Sequence, residues 1–268
     1  MITAGVDIGS LSGEAVIMDD DKIVSYSIVL TGPDSVETAE KVMDEALEKA
    51  KLTMNDIEYV VATGYGRIVV PFADRNITEI SCHGKGAKWF FSETSLILDM
   101  GGQDCKAIRV NDKGKVTNFA MNDKCAAGAG RSMEVMAKVL NVKLEDIGDM
   151  SLNIQNAPAK ISDMCVLFAK SDALGLLQKG VSKNDILAGM CDGLVRRTEA
   201  LLKRVGIEER LCITGGIAKN IGVTKRVEAA LDMEAIIPDE PQIVGAVGAA
   251  LFAQDKLKKK KIHHKKEK

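Results

Sequence analysis

Apolar residues in the first part of the chain fall in short dense runs broken by polar turns, a strand pattern rather than a helical one. Residues 2–9 (ITAGVDIG) read as an apolar strand ending in Asp7-Ile8-Gly9. Glu14-Ala15-Val16-Ile17-Met18 reads as a second strand, Asp19-Asp20-Asp21-Lys22 as a polar turn and 23–30 as a third strand. The period then becomes helical over 36–51. Further on the unit returns. Residues 95–102 (SLILDMGG) end in Asp99-Met100-Gly101, followed by strands over Cys105–Val110 and Val116–Met121 with a polar turn between them. A helical pattern over 126–140 comes next. The shared unit is strand, Asp-x-Gly turn, strand, turn, strand, and its repetition predicts an α/β chain of two related halves.

A glycine after the aspartate permits a tight hairpin whose backbone N–H groups face inward with no Cβ in the way. Two such hairpins facing each other would grip a polyphosphate. Their aspartates, Asp7 and Asp99, would hold Mg²⁺ through water and polarise an attacking water, with Gln103 and Asp104 as assisting candidates. The phosphate-facing positions are then Gly9, Ser10, Leu11 and Ser12 in the first hairpin and Gly101 and Gly102 in the second. A third glycine motif, Ile213-Thr214-Gly215-Gly216-Ile217-Ala218-Lys219-Asn220, follows a strand over 210–213 and precedes a helix. Gly215 and Gly216 let a base and ribose lie against the backbone, with Lys219 beside them. Gly245-Ala246-Val247-Gly248-Ala249-Ala250 sets small residues at helical spacing, the mark of a helix packed closely on a neighbour.

This order of motifs is the pattern of the actin, sugar-kinase and heat-shock chaperone ATPase superfamily, which it resembles as far as residue 255. The resemblance implies an α/β fold of two ribonuclease-H-like domains flanking an ATP cleft. The expected division is 1–95 and 96–255, with a helix near 241–255 packing back on the first domain and a disordered basic tail over 256–268.

Charge alters this picture only at the end. The chain has 36 Lys and Arg against 38 Asp and Glu, a net of −2, yet its last thirteen residues (KLKKKKIHHKKEK) hold eight of the lysines. The body is therefore acidic, which argues against nucleic acid. No apolar run is long enough to span a bilayer and no leader-like segment opens the chain, so a cytoplasmic protein with no membrane partner is expected.

Six cysteines with no CxxC pair make no disulfide framework. Cys105, Cys191 and Cys212 lie in apolar runs and read as core, as do Met133 and Met136. Cys82 beside His83 is a weak candidate for metal or nucleophile chemistry, and Arg67 a candidate phosphate partner. Cys125 and Cys165 differ, because each stands at an expected helix start, with Ser162 or Asp163 as the cap of the second. A helix N-terminus stabilises a thiolate and an anionic iron–sulfur cluster. Two cysteines cannot complete the four thiolates of a [4Fe–4S] cluster, but a two-fold axis can.

The chain also resembles, more narrowly, the ATP-dependent activators (component A) of 2-hydroxyacyl-CoA dehydratases and the ATPase subunits of benzoyl-CoA reductase. The matching stretches are Asp7-Ile8-Gly9-Ser10, Ala62-Thr63-Gly64-Tyr65-Gly66-Arg67, Ser81-Cys82-His83, Asp99-Met100-Gly101-Gly102-Gln103-Asp104, residues 122–131 (NDKCAAGAGR), Cys165-Val166-Leu167-Phe168-Ala169 and residues 214–220. The resemblance implies a homodimer in which Cys125 and Cys165 ligate one [4Fe–4S] cluster. It further implies ATP and Mg²⁺ as cofactors, a ferredoxin or flavodoxin as electron donor, and an acyl-CoA dehydratase or aryl-CoA reductase component that receives one low-potential electron. The chain departs from the family's pattern at Glu14, where a lysine is common, and at Lys170. A small-molecule kinase of the sugar type is the alternative the fold leaves open, followed by a chaperone or filament former.

Overall fold

The computed structural model describes residues 1–122 and 129–266. It divides into two units, Met1–Ser92 with Asp112–Val116 and Gln242–Lys268, and Glu93–Asn111 with Thr117–Pro241.

Unit 1 is built on a five-stranded sheet in the order β3-β2-β1-β4-β5. Its strands are β1 (Ile2–Ile8), β2 (Ser12–Asp19), β3 (Lys22–Leu30), β4 (Tyr59–Thr63) and the short β5 (Arg75–Asn76). β1 pairs antiparallel with β2 and parallel with β4. It is thus central and buried on both faces, which explains its near-continuous apolar run. β3 is half-exposed and alternates buried and open positions. One face carries α1 (Ser35–Ala50), whose Val42, Met43, Ala46 and Leu47 pack with Val6, Ile8 and Ile17. Burying each large apolar side chain there contributes about 1.5–3 kcal/mol. The Asp34 carboxylate starts α1 by accepting the Val36 N–H at 2.7 Å, and Lys51, left-handed at φ 55°, ends it.

The other face carries α2 (Glu79–Phe90) and α8 (Val244–Lys266). The small residues of α8 serve close approach, since a Cβ on Gly5 of β1 would lie 1.9 Å from the Ala246 carbonyl oxygen, and one on Gly248 would lie 1.8 Å from that of Cys82. Helix α8 continues through the lysine-rich stretch to Lys266, so the tail expected to be disordered from 256 is helical that far. Lysine is a good helix former and here extends a helix already nucleated by packing.

Unit 2 has the same frame. Its sheet runs β10-β9-β6-β7-β8, with β6 (Leu96–Met100) antiparallel to β7 (Cys105–Val110) and parallel to β9 (Leu211–Thr214). β8 (Val116–Met121) and β10 (Ala235–Ile236) form the edges. Between β8 and β9 lie α3 (Gly130–Leu140), α4 (Ile147–Leu152), α5 (Val166–Gln178) and α6 (Lys183–Val205), and α7 (Ile221–Leu231) precedes β10. The core joins Leu96, Leu98 and Met100 to Met133, Met136, Leu140, Ile186, Leu187 and Leu202. Met133 and Met136 are core, as expected. The helix expected from 126 begins at Gly130 in the described residues, with Ala129 as its cap. Among the described residues no helix is long and apolar enough to cross a membrane.

Candidate functional site

The two Asp-x-Gly turns close in the same way. The Gly9 N–H donates to the Ser12 carbonyl at 2.9 Å, and the Gly101 N–H to the Asp104 carbonyl at 2.9 Å. At each turn the aspartate lies one strand residue before the bend and is buried, Asp7 at 8% exposed and Asp99 at 4%.

Each aspartate is the middle of a row of three residues across its sheet. In unit 2 the row is Lys106, Asp99 and Thr214, set by the registers of β6 with β7 and with β9. Lys106 Nζ lies 2.7 Å from Asp104 Oδ1 and 3.4 Å from Asp99 Oδ2, and the Thr214 hydroxyl donates to Asp99 Oδ1 at 3.3 Å. In unit 1 the same places hold Glu14, Asp7 and Thr63. Glu14 is buried and accepts the Ser12 hydroxyl at 2.5 Å. His83 of α2 brings Nε2 to 4.0 Å from Asp7 Oδ2.

A left-handed glycine follows the threonine in both rows, Gly64 at φ 81° and Gly215 at φ 83°. A Cβ on Gly64 would lie 2.3 Å from Asp7 Oδ1, and one on Gly215 2.8 Å from Asp99 Oδ1. These glycines leave the carboxylates room that no other residue would leave. Gly216 is exposed in the turn beyond Gly215, while Lys219 is committed to Glu240 at 2.8 Å. Gln103 is exposed at the tip of the second hairpin, outside the buried group of Asp99, Asp104 and Lys106. Ser10 and Leu11 are half-buried at the tip of the first. Arg67 pairs with Glu79 at 3.3 Å and with the Gly64 carbonyl at 2.7 Å, so it braces this turn.

The second hairpin is also fastened to the chain on the far side of β8. The Asn122 side chain accepts the Cys105 N–H at 2.7 Å, and the Asn122 N–H donates to the Cys105 carbonyl at 3.2 Å. The first N–H groups of α3, those of Gly130 and Arg131, donate to the carbonyls of Gly101 and Gly102 at 3.0 and 2.8 Å. Cys125 lies outside the described residues. Cys165 is half-buried and is itself the N-cap of α5, at φ −149° and ψ 139°. The expected caps serve elsewhere: Asp163 pairs with Arg196, and the Ser162 hydroxyl takes the Met164 N–H. The other thiols fit a core role. Burial pushes Cys82 and Cys212 up to about 12 and Cys191 up to about 11, and raises Cys105 as well. Cys82 is thus a poor nucleophile at neutral pH.

Residues 4–253 match the BadF/BadG/BcrA/BcrD ATPase family. The chain belongs to this family. The activator of lactoyl-CoA dehydratase from Anaerotignum propionicum is 43% identical over 261 residues, covering 97% of this chain and 100% of that protein. The (R)-2-hydroxyglutaryl-CoA dehydratase activating ATPase of Acidaminococcus fermentans is 40% identical over 259 residues, 96% of this chain and 98% of its own length. Among solved structures, the activator of the 2-hydroxyisocaproyl-CoA dehydratase from Clostridium difficile, with bound ADPNP, superposes with a TM-score of 0.93 at 38% identity and 98% coverage of both chains. A ROK family glucokinase from Streptomyces griseus shares the fold at a TM-score of 0.57 and 14% identity, covering 95% of this chain and 100% of its own.

The sequence motifs do not single out Lys106 of this BadF/BadG/BcrA/BcrD ATPase. Lys106 follows Asp99 at the spacing by which Glu14 follows Asp7, and that shared spacing would have found it. Thr63-Gly64 is the counterpart of Thr214-Gly215, and both dipeptides end an apolar strand.

Proposed function

We propose that this ATPase couples ATP hydrolysis to delivery of one low-potential electron to an acyl-CoA dehydratase or aryl-CoA reductase component. The two Asp-x-Gly hairpins take the phosphates. Asp7 and Asp99 hold Mg²⁺ through water and orient the attacking water, Asp104 and Gln103 assist at the second hairpin, and Gly215 and Gly216 take the nucleoside. Gly64 and Gly215 let the two carboxylates sit against the backbone where a Cβ would strike them, which supports reading both aspartates as fixed groups of the site.

Cys125 and Cys165 from each of two copies would hold a [4Fe–4S] cluster, which when bound would supply the electron. Cys165 suits such a ligand, since the opening N–H groups of α5 favour an anionic thiolate. A second copy also suits the surface beside it, where Met164, Leu167 and Phe168 are 74%, 70% and 61% exposed. A ferredoxin or flavodoxin reloads the cluster, and the protein works in the cytoplasm, where thiols stay reduced.

The observation that carries this reading is the bond pair from Gly130 and Arg131 to Gly101 and Gly102. It supports a direct mechanical link from the nucleotide hairpin to the chain segment that holds Cys125. The test is iron and acid-labile sulfide on anaerobically purified protein, with ATPase activity measured in parallel. About four iron per dimer, lost in Cys125→Ala and in Cys165→Ala, is expected. An iron-free wild type that hydrolyses ATP would sink the electron-transfer part and leave an ATPase of other purpose.

A further inference from the structure

Helix α2 presents Glu79 and His83, one turn apart, to the two sides of Asp7. Glu79 pairs with Arg67 at 3.3 Å, and Arg67 donates to the Gly64 carbonyl at 2.7 Å. Gly64 is the residue on which a Cβ would lie 2.3 Å from Asp7 Oδ1. His83 faces the other oxygen, with Nε2 4.0 Å from Asp7 Oδ2. Both side chains are buried, His83 at 5% exposed and Asp7 at 8%. The imidazole reaches the carboxylate beside the first turn of α8, and only because residue 245 is glycine. A Cβ there would lie 2.1 Å from Asp7 Oδ2 and 3.0 Å from His83 Nε2. Each oxygen of the Asp7 carboxylate thus has its own support from α2, one through Arg67 and Gly64, the other from His83 itself.

We propose that His83 is a positioning residue of the ATPase reaction: its imidazole holds the Asp7 carboxylate in the orientation the reaction uses, without touching the nucleotide. The inference rests on the reading of Asp7 as a group that holds the hydrated Mg²⁺. A polar edge restrains a carboxylate more strongly in a low-dielectric interior than in water. At 4.0 Å the two groups stand beyond direct hydrogen-bond reach, and contacts of this kind between working side chains often tighten only when substrate is bound. A misplacement of about 1 Å at a reacting centre costs up to about 100-fold in rate, so a residue that acts only by orientation is still felt in kcat.

The test is steady-state ATPase kinetics of the full chain, purified anaerobically, on four proteins: wild type, H83M, D7N and D7N/H83M. H83M replaces the imidazole by an unbranched apolar chain that packs adaptably. It is expected to lower kcat by about tenfold with little change in KM for ATP. On the D7N background the same substitution is expected to change kcat by less than about twofold, because the charge it orients is already gone. H83Q, which returns an N–H toward the place of Nε2, is expected to recover most of the wild-type kcat. A loss from H83M that recurs in full on the D7N background overturns the proposal. So does an H83M of wild-type kcat, or an H83Q as slow as H83M. If H83M does not fold, H83N, whose shorter amide draws back from Oδ2, takes its place in the cycle with the same expectations. A D7N protein that keeps wild-type kcat is a different failure, of the reading of Asp7, and this inference falls with it.

Discussion

The hairpin of unit 2 holds its buried charges in a closed set, with Lys106 between Asp99 and Asp104, whereas that of unit 1 places two acids across from one another. The backbones match, the closing bonds match, and the left-handed glycines match within a few degrees. The two halves thus share their main-chain geometry at the turn. The side chains diverged, so one hairpin sets a lysine beside its aspartate where the other sets a glutamate.

The largest effect should come from breaking the closed set. Lys106→Met leaves Asp99 and Asp104 buried without their cation, and removing one partner of a buried ion pair costs about 3–5 kcal/mol. Glu14→Gln keeps a hydrogen-bonding group toward Ser12 and should change stability by about 1 kcal/mol or less. Urea unfolding of the two variants measures the contrast. Equal losses would mean that the same forces hold both hairpins and that the difference in their charges is without consequence for stability.

A smaller effect is expected from the aspartates, and on rate. Asp7→Asn and Asp99→Asn each remove a charge that the proposed function sets beside the reacting phosphate, while keeping the shape of the row. Each should lower the ATPase kcat by about 100-fold, the scale of one well-placed electrostatic group. Phosphate-release kinetics on both variants would sharpen the comparison by showing which hairpin the reaction leans on more. Should either variant keep wild-type kcat, that hairpin would be a binding element only.

The features legible in the chain are those set by short-range interactions. The Asp-x-Gly turns and the strands around them depend on neighbours a few residues apart, so Asp7, Gly9, Asp99 and Gly101 could be read directly. Thr63 lies beside Asp7, and Thr214 beside Asp99, only because distant parallel strands pair. A parallel pairing leaves no local mark in sequence, so the stretch 62–67 is recognisable as a motif while the place of Thr63 beside Asp7 is not. The caps show the same limit. Ser162 and Asp163 have the chemistry to cap α5, but Arg196 of α6 claims Asp163 and the chain bends so that Cys165 takes the cap position. The attachment of α8 to unit 1 was signalled by its small residues, though they could not say that Gly5 of β1 and Cys82 of α2 would be the surfaces met.

The last difference between the halves is the long run from α3 to α6, which unit 2 carries where unit 1 has α1 alone. Its path to Cys165 is fastened at Asp185, near the start of α6. There the carboxylate accepts the N–H groups of Gln155 and Asn156 at 2.8 and 3.2 Å and the Asn156 amide at 3.1 Å. Burial pushes the Asp185 carboxyl up, but the bonds from Asn156, Gln155 and Ser182 outweigh it and hold the group below its ordinary value of 3.8. A carboxyl whose folded value is depressed stabilises fully above its unfolded value, and that share is lost as pH falls through the folded one. Asp185→Asn should therefore be less stable than the wild type at pH 7, by the smallest margin of the three contrasts. The gap should narrow as the pH drops below about 3.8, because the wild-type carboxyl then protonates too. Thermal midpoints of both proteins at neutral and acid pH measure it. A gap that stays constant across the range would mean that packing at this position, and not the charge, fastens the segment leading to Cys165.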